Sequence, residues 1–525
     1  MPFTAQQEAA LARYFTNLDR PVFALRNLPE VVKGALFSRY SRTEKSLREV
    51  LLTEFIEEPA SGFGDLVGEP AGDDLVAARR AEEFYERVLV GYGDDSVAEL
   101  AGAHLACEQV STLAAKALED SRIGISPLEK STRYVRFDRP GDDGRFLYHR
   151  GPELADPEYE AAMDALFQTY SDLVMPLTEA VREAYPMEEG ETERAWKAAT
   201  RAKALDLLRG LLPAATLTNV GLYGNGRAFE YLVTKLAAHG LPECRRLAED
   251  IHAELSLIIP AFVRRALDEK YGRPTVDRLR QVRERVAAAS PSPPAAGLPH
   301  EVGEGPVVHL LEWEGDAERK IAAAALYQQT DRPWQELDAD PGPILEALLA
   351  GRRNRRDRAP RALEHTSYLF EIEANFGAYR DLHRHRMLSQ ERQLLSTDLG
   401  YDAPPGLDRF GFGDRFRGAV AAAAAAHAGL EARLGRELAQ YAVPLAFRVR
   451  WHARLNLREL YHLCELRTTP QGHPDYRWVA QEMFRAVQKV HPRLASYATF
   501  VDLSEGDELE RRASEQRLDE KLSRL

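Results

Sequence analysis

The densest cluster of candidate chemical groups is the run His383-Arg384-His385-Arg386. A guanidinium offers a planar fork of donors to phosphate, and a second cation holds negative charge on a reduced cofactor ring. The run therefore predicts an anion-binding site, with a solvated basic turn as the alternative for such a cluster taken alone. The two histidines also raise the question of metal. No carboxylate or further histidine stands at a known ligand spacing, so we predict no metal site.

A second candidate site lies in the first half of the chain, where Glu129-Lys-Ser131-Thr-Arg133-Tyr combines a hydroxyl with a guanidinium. Arg209 stands four residues before Pro213 and offers another guanidinium. A hydroxyl, backbone N–H groups and two guanidiniums converging on a loop are what a dianionic phosphate needs. An ordinary helix cap followed by a strand is the alternative for this segment.

The elements that must position these groups occur twice. Pro213 precedes Asn225-Gly-Arg227 by 12 residues (225 − 213), and Pro444 precedes Asn456-Leu-Arg458 by the same 12 (456 − 444). Both Asn-x-Arg triplets start helix-like segments, and in each half a further helix is expected about 20 residues later. Matching order and spacing in two halves predicts a duplicated unit, with chance similarity of helical segments as the alternative.

A linker separates the two halves. Clustered Pro and Gly residues cannot continue a helix or a central strand, and they crowd the stretch from Ala287 to Pro306. We therefore predict a first repeat at residues 1–286, a linker at 287–306 and a second repeat at 307–525.

Each repeat is predicted to be helix-rich with a small sheet. Amphipathic helices are expected from Val97 through Ser111 and from Ala362 through Glu373. Strands are expected at Val22–Leu25 and Val307–Leu311. The fold class predicted from these elements is α+β.

Composition excludes several function classes. The 525 residues carry a formal net charge of -13, so long duplex nucleic acid is not expected as a partner. Three cysteines without a CxxC motif are typical of a reducing cytoplasm, and we predict a cytoplasmic protein. No run of about 18 apolar residues free of charge occurs, so no membrane partner is expected.

The motifs of the second half resemble those of the flavin-dependent thymidylate synthases. That family's signature begins with Arg-His-Arg and is preceded by Glu-His about twenty residues upstream, as in Arg384–Arg386 and Glu364-His365. Asn456-x-Arg458 and Arg467 fit the family's Asn-x-Arg helix and the arginine that polarises the uracil. The resemblance implies a catalytic role for Arg467 and FAD binding by a set that extends across the second half: His365, Arg384, His385, Arg386, Asn456 and Arg458.

Neither half matches the family signature completely. After Arg386 the second half lacks the Glu-x-Ser-x-Arg segment, and Gln440 stands where the family has a phosphate-binding arginine. The first half has Asp120-Ser-Arg122 in place of Arg-His-Arg and Glu99-Leu100 in place of Glu-His, but it keeps the phosphate motif with one inserted residue. The resemblance thus implies a composite site, within one chain or across a dimer. Its substrate-binding residues come from the first half: Glu129, Ser131, Arg133 and Arg209.

The resemblance implies a fold of two tandem copies of the flavin-dependent thymidylate synthase fold, each with a small sheet. It also implies methylation of dUMP to dTMP, with FAD as cofactor and NADPH and methylenetetrahydrofolate as cosubstrates. Because the family is tetrameric, a homodimer of the fused chain is expected. Asp381 replaces a glutamine that contacts the nucleotide in the family, where it could pair with Arg380 or change the base or sugar accepted.

Two alternatives stay open. One is a flavin-dependent pyrimidine-nucleotide modifying enzyme with an altered substrate, and the other is a non-catalytic flavin- or nucleotide-binding relative. The charged stretch after Asp502 predicts an exposed helix beginning near Ser504, to which the sequence assigns no function.

Overall fold

The protein is represented by a computed structural model, which describes residues 3–40, 43–58, 97–121, 123–290, 300–303, 305–505 and 509–524. The chain divides into two compact units. Unit 1 comprises Met1–Glu108, Ala117–Glu129 and Asn219–Ser292, and unit 2 comprises Gln109–Lys116, Lys130–Thr218 and Pro293–Leu525. Much of the predicted first repeat therefore packs in unit 2. The middle of the predicted linker, 291–299, lies outside the described residues.

A three-stranded sheet forms in the first half, with β1 at Gly102–Ser111, β2 at Ile125–Glu129 and β3 at Leu217–Asn225. The strand order is β1-β3-β2, and β2 pairs antiparallel with β3 from Ile125 opposite Gly224 to Glu129 opposite Val220. The helix predicted from Val97 through Ser111 is wrong. Only a 3-10 turn forms at Val97–Glu99, and β1 follows because ladder pairing with β3 overrides the local helical pattern.

A four-stranded antiparallel sheet forms in unit 2 in the order β4-β5-β7-β6. Its strands are β4 at Val307–Trp313, β5 at Ser367–Asn375, β6 at Leu388–Arg392 and β7 at Arg448–Asn456. The strand predicted at the start of the second repeat is thus confirmed. The helix predicted from Ala362 through Glu373 is wrong, because buried and half-buried residues alternate along β5 and period two is that of a strand.

Helices make up most of the remaining described structure. Numbered in chain order, they are α1 Ala5–Leu11, α2 Glu30–Tyr40, α3 Leu47–Val50, α4 Thr112–Glu119, α5 Pro157–Ala184, α6 Glu193–Leu208, α7 Gly226–Ala237, α8 Pro242–Ile258, α9 Pro260–Val263, α10 Gly272–Ala289, α11 Ala317–Leu326, α12 Pro341–Leu349, α13 Phe376–Leu382, α14 Pro405–Arg409, α15 Gly413–Leu434, α16 Arg436–Ala439, α17 Leu457–Arg467, α18 Pro474–Val490, α19 Pro492–Ser496 and α20 Arg512–Leu522. A π-helical turn at Leu51–Ile56 and short 3-10 turns complete them. No helix among the described residues is long and apolar enough to cross a membrane.

Two predicted elements differ in detail. Val22–Leu25 forms only an isolated bridge, from Leu25 to Phe15. The C-terminal helix begins at Arg512 instead of near Ser504, since the Ser504 N–H and hydroxyl both donate to the Asp502 carboxylate in a turn.

The two halves pair with each other through equivalent backbone positions around Pro213 and Pro444, all within unit 2. The Ala214 N–H donates to the Val443 carbonyl at 2.8 Å, and the Leu445 N–H donates back to the Leu212 carbonyl at 2.9 Å. A second reciprocal pair, at 3.0 Å in both directions, joins Ala215 to Tyr441 and Ala446 to Gly210. Such self-complementary pairing is what a local two-fold axis between duplicated units produces.

Candidate functional site

One wall of the candidate site is helix α17, which starts where β7 ends. The Asn456 side chain accepts a hydrogen bond from the Glu459 N–H at 2.9 Å and so caps the helix. Glu459 and His462, three residues apart, lie on neighbouring turns of one face, where the His462 ring contacts the Glu459 carboxylate at 3.3 Å. Arg467 is the last residue of the helix.

The opposite wall is the turn between α13 and β6, which holds the cluster His383–Arg386. Asn375 caps α13 through the Ala378 N–H at 2.9 Å, and the turn follows seven helical residues later. His383 and His385 are buried, whereas Arg384 and Arg386 are exposed. The local fold thus directs the two imidazoles inward and the two guanidiniums outward.

His385 links the two walls through both ring nitrogens. Its Nε2 accepts a hydrogen bond from Arg467 Nε at 2.9 Å, and its Nδ1 lies 2.8 Å from Glu459 Oε1. Because arginine only donates, Nε2 must be the bare nitrogen, and Nδ1–H must donate to the carboxylate. Burial, helped by the nearby Arg467 charge, lowers the pKa of His385 to about 4 against the opposing hydrogen bond to Glu459. The imidazole is therefore neutral at pH 7.

The charged partners of His385 stay ionised. Burial alone would raise the pKa of Glu459, but hydrogen bonds from His385 and His462 outweigh it and lower that pKa to about 2. Burial lowers the pKa of Arg467, and the negative charge of Asp381 opposes the shift. Arg467 is thus a half-buried cation whose Nε position is fixed by a neutral imidazole.

A cavity of about 300 Å³ lies between these walls, and we call it the first cavity. Most of the residues predicted to bind the cofactor line it, together with the predicted catalytic arginine: Arg384, His385, Arg386, Asn456, Arg458 and Arg467. Arg458 is held by the Ala359 carbonyl at 2.8 Å and by Glu364 at 2.7 Å. The cavity is therefore rich in positive charge, as a phosphate-bearing ligand requires.

Three further arginines on the first cavity, Arg352, Arg355 and Arg358, were missed by the sequence analysis. Arg352 forms a bidentate pair with Glu465, with both N–O distances at 2.7 Å. The sequence does contain a signal for these residues, since five arginines fall within residues 352–358.

His365 is placed differently from the other predicted cofactor residues. It ends a 3-10 turn, is exposed, and stacks on Trp334 with ring centroids 5.5 Å apart. It is absent from the lining of the first cavity as far as the chain is described. Its predicted role in binding FAD stays a prediction.

His385, Glu459 and His462 also approach one another closely enough to hold a metal ion. This arrangement was not expected, because the sequence brings Glu459 and His462 to His385 only through the fold. Both nitrogens of His385 are already used, however, one by Arg467 and one by Glu459. The contacts therefore favour a hydrogen-bonded network that orients Arg467.

A second cavity of about 300 Å³ adjoins the first and shares Arg384, Leu466 and Arg467 with it. Residues from both sequence halves line it, all within unit 2: Ser131, Arg133, Tyr134, Arg209, Gly377, Arg380, Asp381, Tyr476, Arg511 and Ser514 among them. Arg133 and Arg384, predicted for opposite halves of a composite site, thus line one cavity.

The arginines predicted to bind phosphate are held by carboxylates, one of them buried and the other half-buried. Arg133 donates to both oxygens of Asp206, with Nε–Oδ1 at 2.8 Å and Nη2–Oδ2 at 2.6 Å, and its Nη1 donates to the Gln471 carbonyl at 3.2 Å. Burial opposes ionisation of Arg133, but the Asp206 charge outweighs it and raises the pKa of the guanidinium. No sequence motif indicates this partner, which lies 73 residues away.

Arg209 and Asp381 form the other held pair, with Nη1–Oδ2 at 2.8 Å. Arg209 also packs against Gly377, where an added Cβ would lie 3.2 Å from Nη2. Burial would raise the pKa of Asp381, yet the charges of Arg209 and Arg384 lower it far below the usual range. Asp381 is therefore a carboxylate that only accepts hydrogen bonds.

The remaining predicted substrate residues lie on either side of a unit boundary. Ser131 lines the second cavity, and its hydroxyl accepts from the Arg133 N–H at 3.2 Å, which shapes the turn. Glu129 belongs to unit 1, where it ends β2, buried opposite Val220. Its predicted role in substrate binding stays a prediction. Arg122 lies outside the described residues.

The chain is similar to several known proteins over most of its length. It is 44% identical over 518 residues to a UPF0159 protein of Chlamydia muridarum, with 96% of each chain covered. It is 33% identical over 506 residues to the UPF0159 protein Ta1429 of Thermoplasma acidophilum, covering 90% of this chain and 95% of that one.

Other matches cover only part of the chain. A flavin-dependent thymidylate synthase of Saccharolobus solfataricus is 28% identical over 203 residues, 36% of this chain and 75% of that protein. A crystal structure of a UMP/dUMP methylase from Streptomyces cacaoi covers 38% of this chain and 97% of its own, at 21% identity and a TM-score of 0.34, a likeness too weak to support an argument.

The family assignment comes from two matched segments, residues 58–261 and 309–493, one in each half of the chain. They match the family described as "Thymidylate synthase complementing protein" (Thy1), and together they span well over half of the sequence. The resemblance seen in the motifs is thereby confirmed, as is an α+β fold with a family segment in each half. This chain belongs to the Thy1 family.

Proposed function

We propose that the chain is an FAD-dependent thymidylate synthase that methylates dUMP to dTMP, with methylenetetrahydrofolate and NADPH as cosubstrates. One observation carries the proposal: Arg384 and Arg467 line both cavities, so residues predicted for the cofactor and for the nucleotide converge in unit 2. Family membership and the 28% identity to a protein named as a flavin-dependent thymidylate synthase support it.

The donors of the first cavity fit a flavin dinucleotide. Arg384, Arg386 and Arg458 suit phosphate oxygens, and a cationic wall beside a neutral histidine suits an anionic reduced ring. When bound, the flavin supplies the electrons for the reductive part of the methylation.

Arg467 is the catalytic residue of the proposal. Its Nε is occupied by His385, which fixes the plane of the guanidinium, while Arg467 lines both cavities. A pre-oriented cation beside a uracil carbonyl stabilises negative charge as it develops on the ring, without reorganisation at the moment of reaction. His385 must stay neutral for this, because a protonated ring offers Arg467 no acceptor.

The second cavity holds the nucleotide in the proposal. Ser131, Arg133 and Arg209 supply a hydroxyl and two guanidiniums to the phosphate. Asp206 and Asp381 fix both guanidiniums in advance, so less side-chain freedom is lost on binding.

Asp381 favours a second candidate, a flavin-dependent enzyme acting on another pyrimidine nucleotide. The amide of the family's glutamine both donates and accepts, whereas the Asp381 carboxylate only accepts and is already bound to Arg209. An altered preference for base or sugar is the expected consequence. Binding of dUMP, UMP and dCMP, measured in parallel, distinguishes the two candidates.

Three measurements test the proposal in order. The purified protein should be yellow with a bound-flavin absorption spectrum, and a colourless protein that takes up no FAD would contradict it. Tritium release from C5 of labelled dUMP then tests for pyrimidine chemistry. Growth of a thymidine-requiring bacterium carrying the gene tests the whole reaction, and flavin binding without tritium release from dUMP would favour the second candidate.

A further inference from the structure

The C-terminal segment Leu509–Leu522 lies beyond the part of the chain that matches the family, which ends at residue 493. It consists of Leu509, Glu510 and Arg511 followed by helix α20, and it packs in unit 2 against helix α6. The sequence assigned it no function.

Buried and charged contacts hold this segment in place. Glu510 is buried and accepts a hydrogen bond from Lys203 at 2.8 Å. Asp519 pairs with Thr192 and Arg194 at the start of α6, and Arg512 donates to the Pro186 carbonyl at 2.7 Å. Because both ends of α20 are tied down, its first turn has a fixed position.

That first turn forms part of the second cavity. Arg511 and Ser514 both line it, beside Ser131, Arg133 and Tyr134. The Arg511 guanidinium lies 4.3 Å from the centre of the Tyr134 ring, so the segment packs directly on the predicted phosphate loop.

The Arg511 side chain is only 12% exposed, and its hydrogen bonding is incomplete. Nη2 donates to Glu515 at 3.3 Å, but Nε is buried and has no hydrogen-bond partner among the described residues. A buried N–H without an acceptor costs free energy, and an anionic oxygen in the cavity would remove that cost. The Ser514 hydroxyl, on the same wall, donates to the Arg511 carbonyl at 2.8 Å, and rotation about its C–O bond would let it donate to the same group instead.

We propose that Arg511 and Ser514 bind the phosphate of the pyrimidine nucleotide, so that the C-terminal segment completes the substrate site. This inference rests on the proposed function, since it takes the second cavity to hold the nucleotide. It adds two substrate-binding residues that the family motifs do not contain.

The test is calorimetric titration of the full-length protein with dUMP and with deoxyuridine, which lacks the phosphate. R511M keeps an apolar stem against Tyr134 while removing the guanidinium, and S514A removes the hydroxyl. R517A is the matched control, because Arg517 is exposed on the same helix and does not line the cavity. A double variant, R133A with D206N, removes the phosphate loop's own guanidinium without leaving a buried carboxylate unpaired.

We expect R511M to raise the Kd for dUMP by roughly 10- to 100-fold and S514A by roughly 3- to 10-fold, as for loss of hydrogen bonds to a charged group. Deoxyuridine binding should be equal in R511M, S514A and R517A, and R517A should bind dUMP like the wild type. Unchanged dUMP binding by R511M, with binding lost in the double variant, would overturn this inference and leave the proposed function standing. A wild-type protein that binds no dUMP would overturn both.

Discussion

The two halves of the chain use the same capped helix for different purposes. Asn225 caps α7 through the Ala228 N–H at 2.8 Å, as Asn456 caps α17. Even the ion pair beyond the cap recurs: Arg227 bonds Glu99 at 2.8 Å, and Arg458 bonds Glu364 at 2.7 Å. The strand, the cap and the ion pair recur in both halves and are therefore features of the framework.

The difference between the halves lies in the side chains that follow the cap. Counted from each asparagine, Glu459 corresponds to Ala228, His462 to Tyr231 and Arg467 to Leu236. Leu236 is fully buried in the core of unit 1, whereas Arg467 is a half-buried cation that lines two cavities. In α7 Ala228 is half-buried and Tyr231 is exposed, so only the Arg467 position replaces a core residue. A cation at that position is expected to lower stability in exchange for chemistry.

The largest contrast is expected between R467A and L236A. R467A should lower kcat/KM for dUMP by about 10²- to 10³-fold, as for loss of a donor that stabilises developing charge. L236A should lower the free energy of unfolding by about 2–5 kcal/mol and leave kcat/KM of the folded protein unchanged. Steady-state kinetics and urea unfolding of both variants check this. If R467A lowered the free energy of unfolding but not kcat/KM, the expected contrast between the two residues would be wrong.

The next largest contrast between the halves is expected in the pH dependence of the free energy of unfolding. The pKa of His385 is about 4 in the folded protein against an ordinary 6.5, so the unfolded chain binds this proton first as the pH falls. The contribution of neutral His385 to the free energy of unfolding is complete above pH 6.5 and is lost as the pH falls from 6.5 towards 4. Between pH 7 and 5 the wild type should lose on the order of 2 kcal/mol more than H385N.

Urea unfolding at both pH values measures this difference. Other buried histidines with lowered pKa values, such as His427 and His473, contribute equally to both proteins and cancel. Ser121 stands at the position of His385 in the first half, so S121A should lose the same free energy of unfolding between pH 7 and 5 as the wild type. Equal losses of unfolding free energy by the wild type and H385N would show that His385 is not held neutral.

The recurring ion pair gives a smaller contrast. Arg458 lines the first cavity, and R458A should weaken FAD binding by roughly 10- to 100-fold through loss of a charged donor. The pair of Arg227 and Glu99 is about half exposed, so R227A should change the free energy of unfolding by less than about 1 kcal/mol and leave FAD binding intact. Fluorescence titration with FAD and urea unfolding of both variants supply the measurements.

The caps should give the smallest contrast between the two halves. N225A and N456A should each lower the free energy of unfolding by about 1 kcal/mol. N456S restores a cap but not an amide, so recovery of stability without recovery of FAD affinity would show that Asn456 also contacts the cofactor. If N456S recovers both, Asn456 serves the framework alone, as Asn225 does.

Local signals in the sequence identified the framework better than its sheets. The spacing of the two capping asparagines predicted helices α7 and α17, and the helices expected further on occur as α8 and α18. Strand β5 was misinterpreted as a helix, although Tyr368, Phe370 and Ile372 already alternate with less buried residues. A six-residue apolar pattern does not distinguish the two periods until ladder pairing decides.

The partners within the site could not be predicted. Asp206 lies 73 residues from Arg133, and Glu459 lies 74 residues from His385, so neither contact leaves a spacing signal. Arg511 lies 378 residues from Arg133 (511 − 133), with which it lines the second cavity. Motifs identified residue types suited to anions, and only the fold determines which of them face one cavity.

In the proposed function, one site draws its cofactor contacts from the second half of the chain and its phosphate contacts from the first half. Titrating dUMP into the FAD-loaded protein, while following the flavin absorption spectrum, tests it most directly. We predict that R384A binds FAD poorly, and that R133A with D206N binds FAD normally but shows no spectral response to dUMP. Wild-type FAD affinity in R384A, together with a wild-type dUMP response in the double variant, would show that the two halves do not divide the contacts of one site in this way.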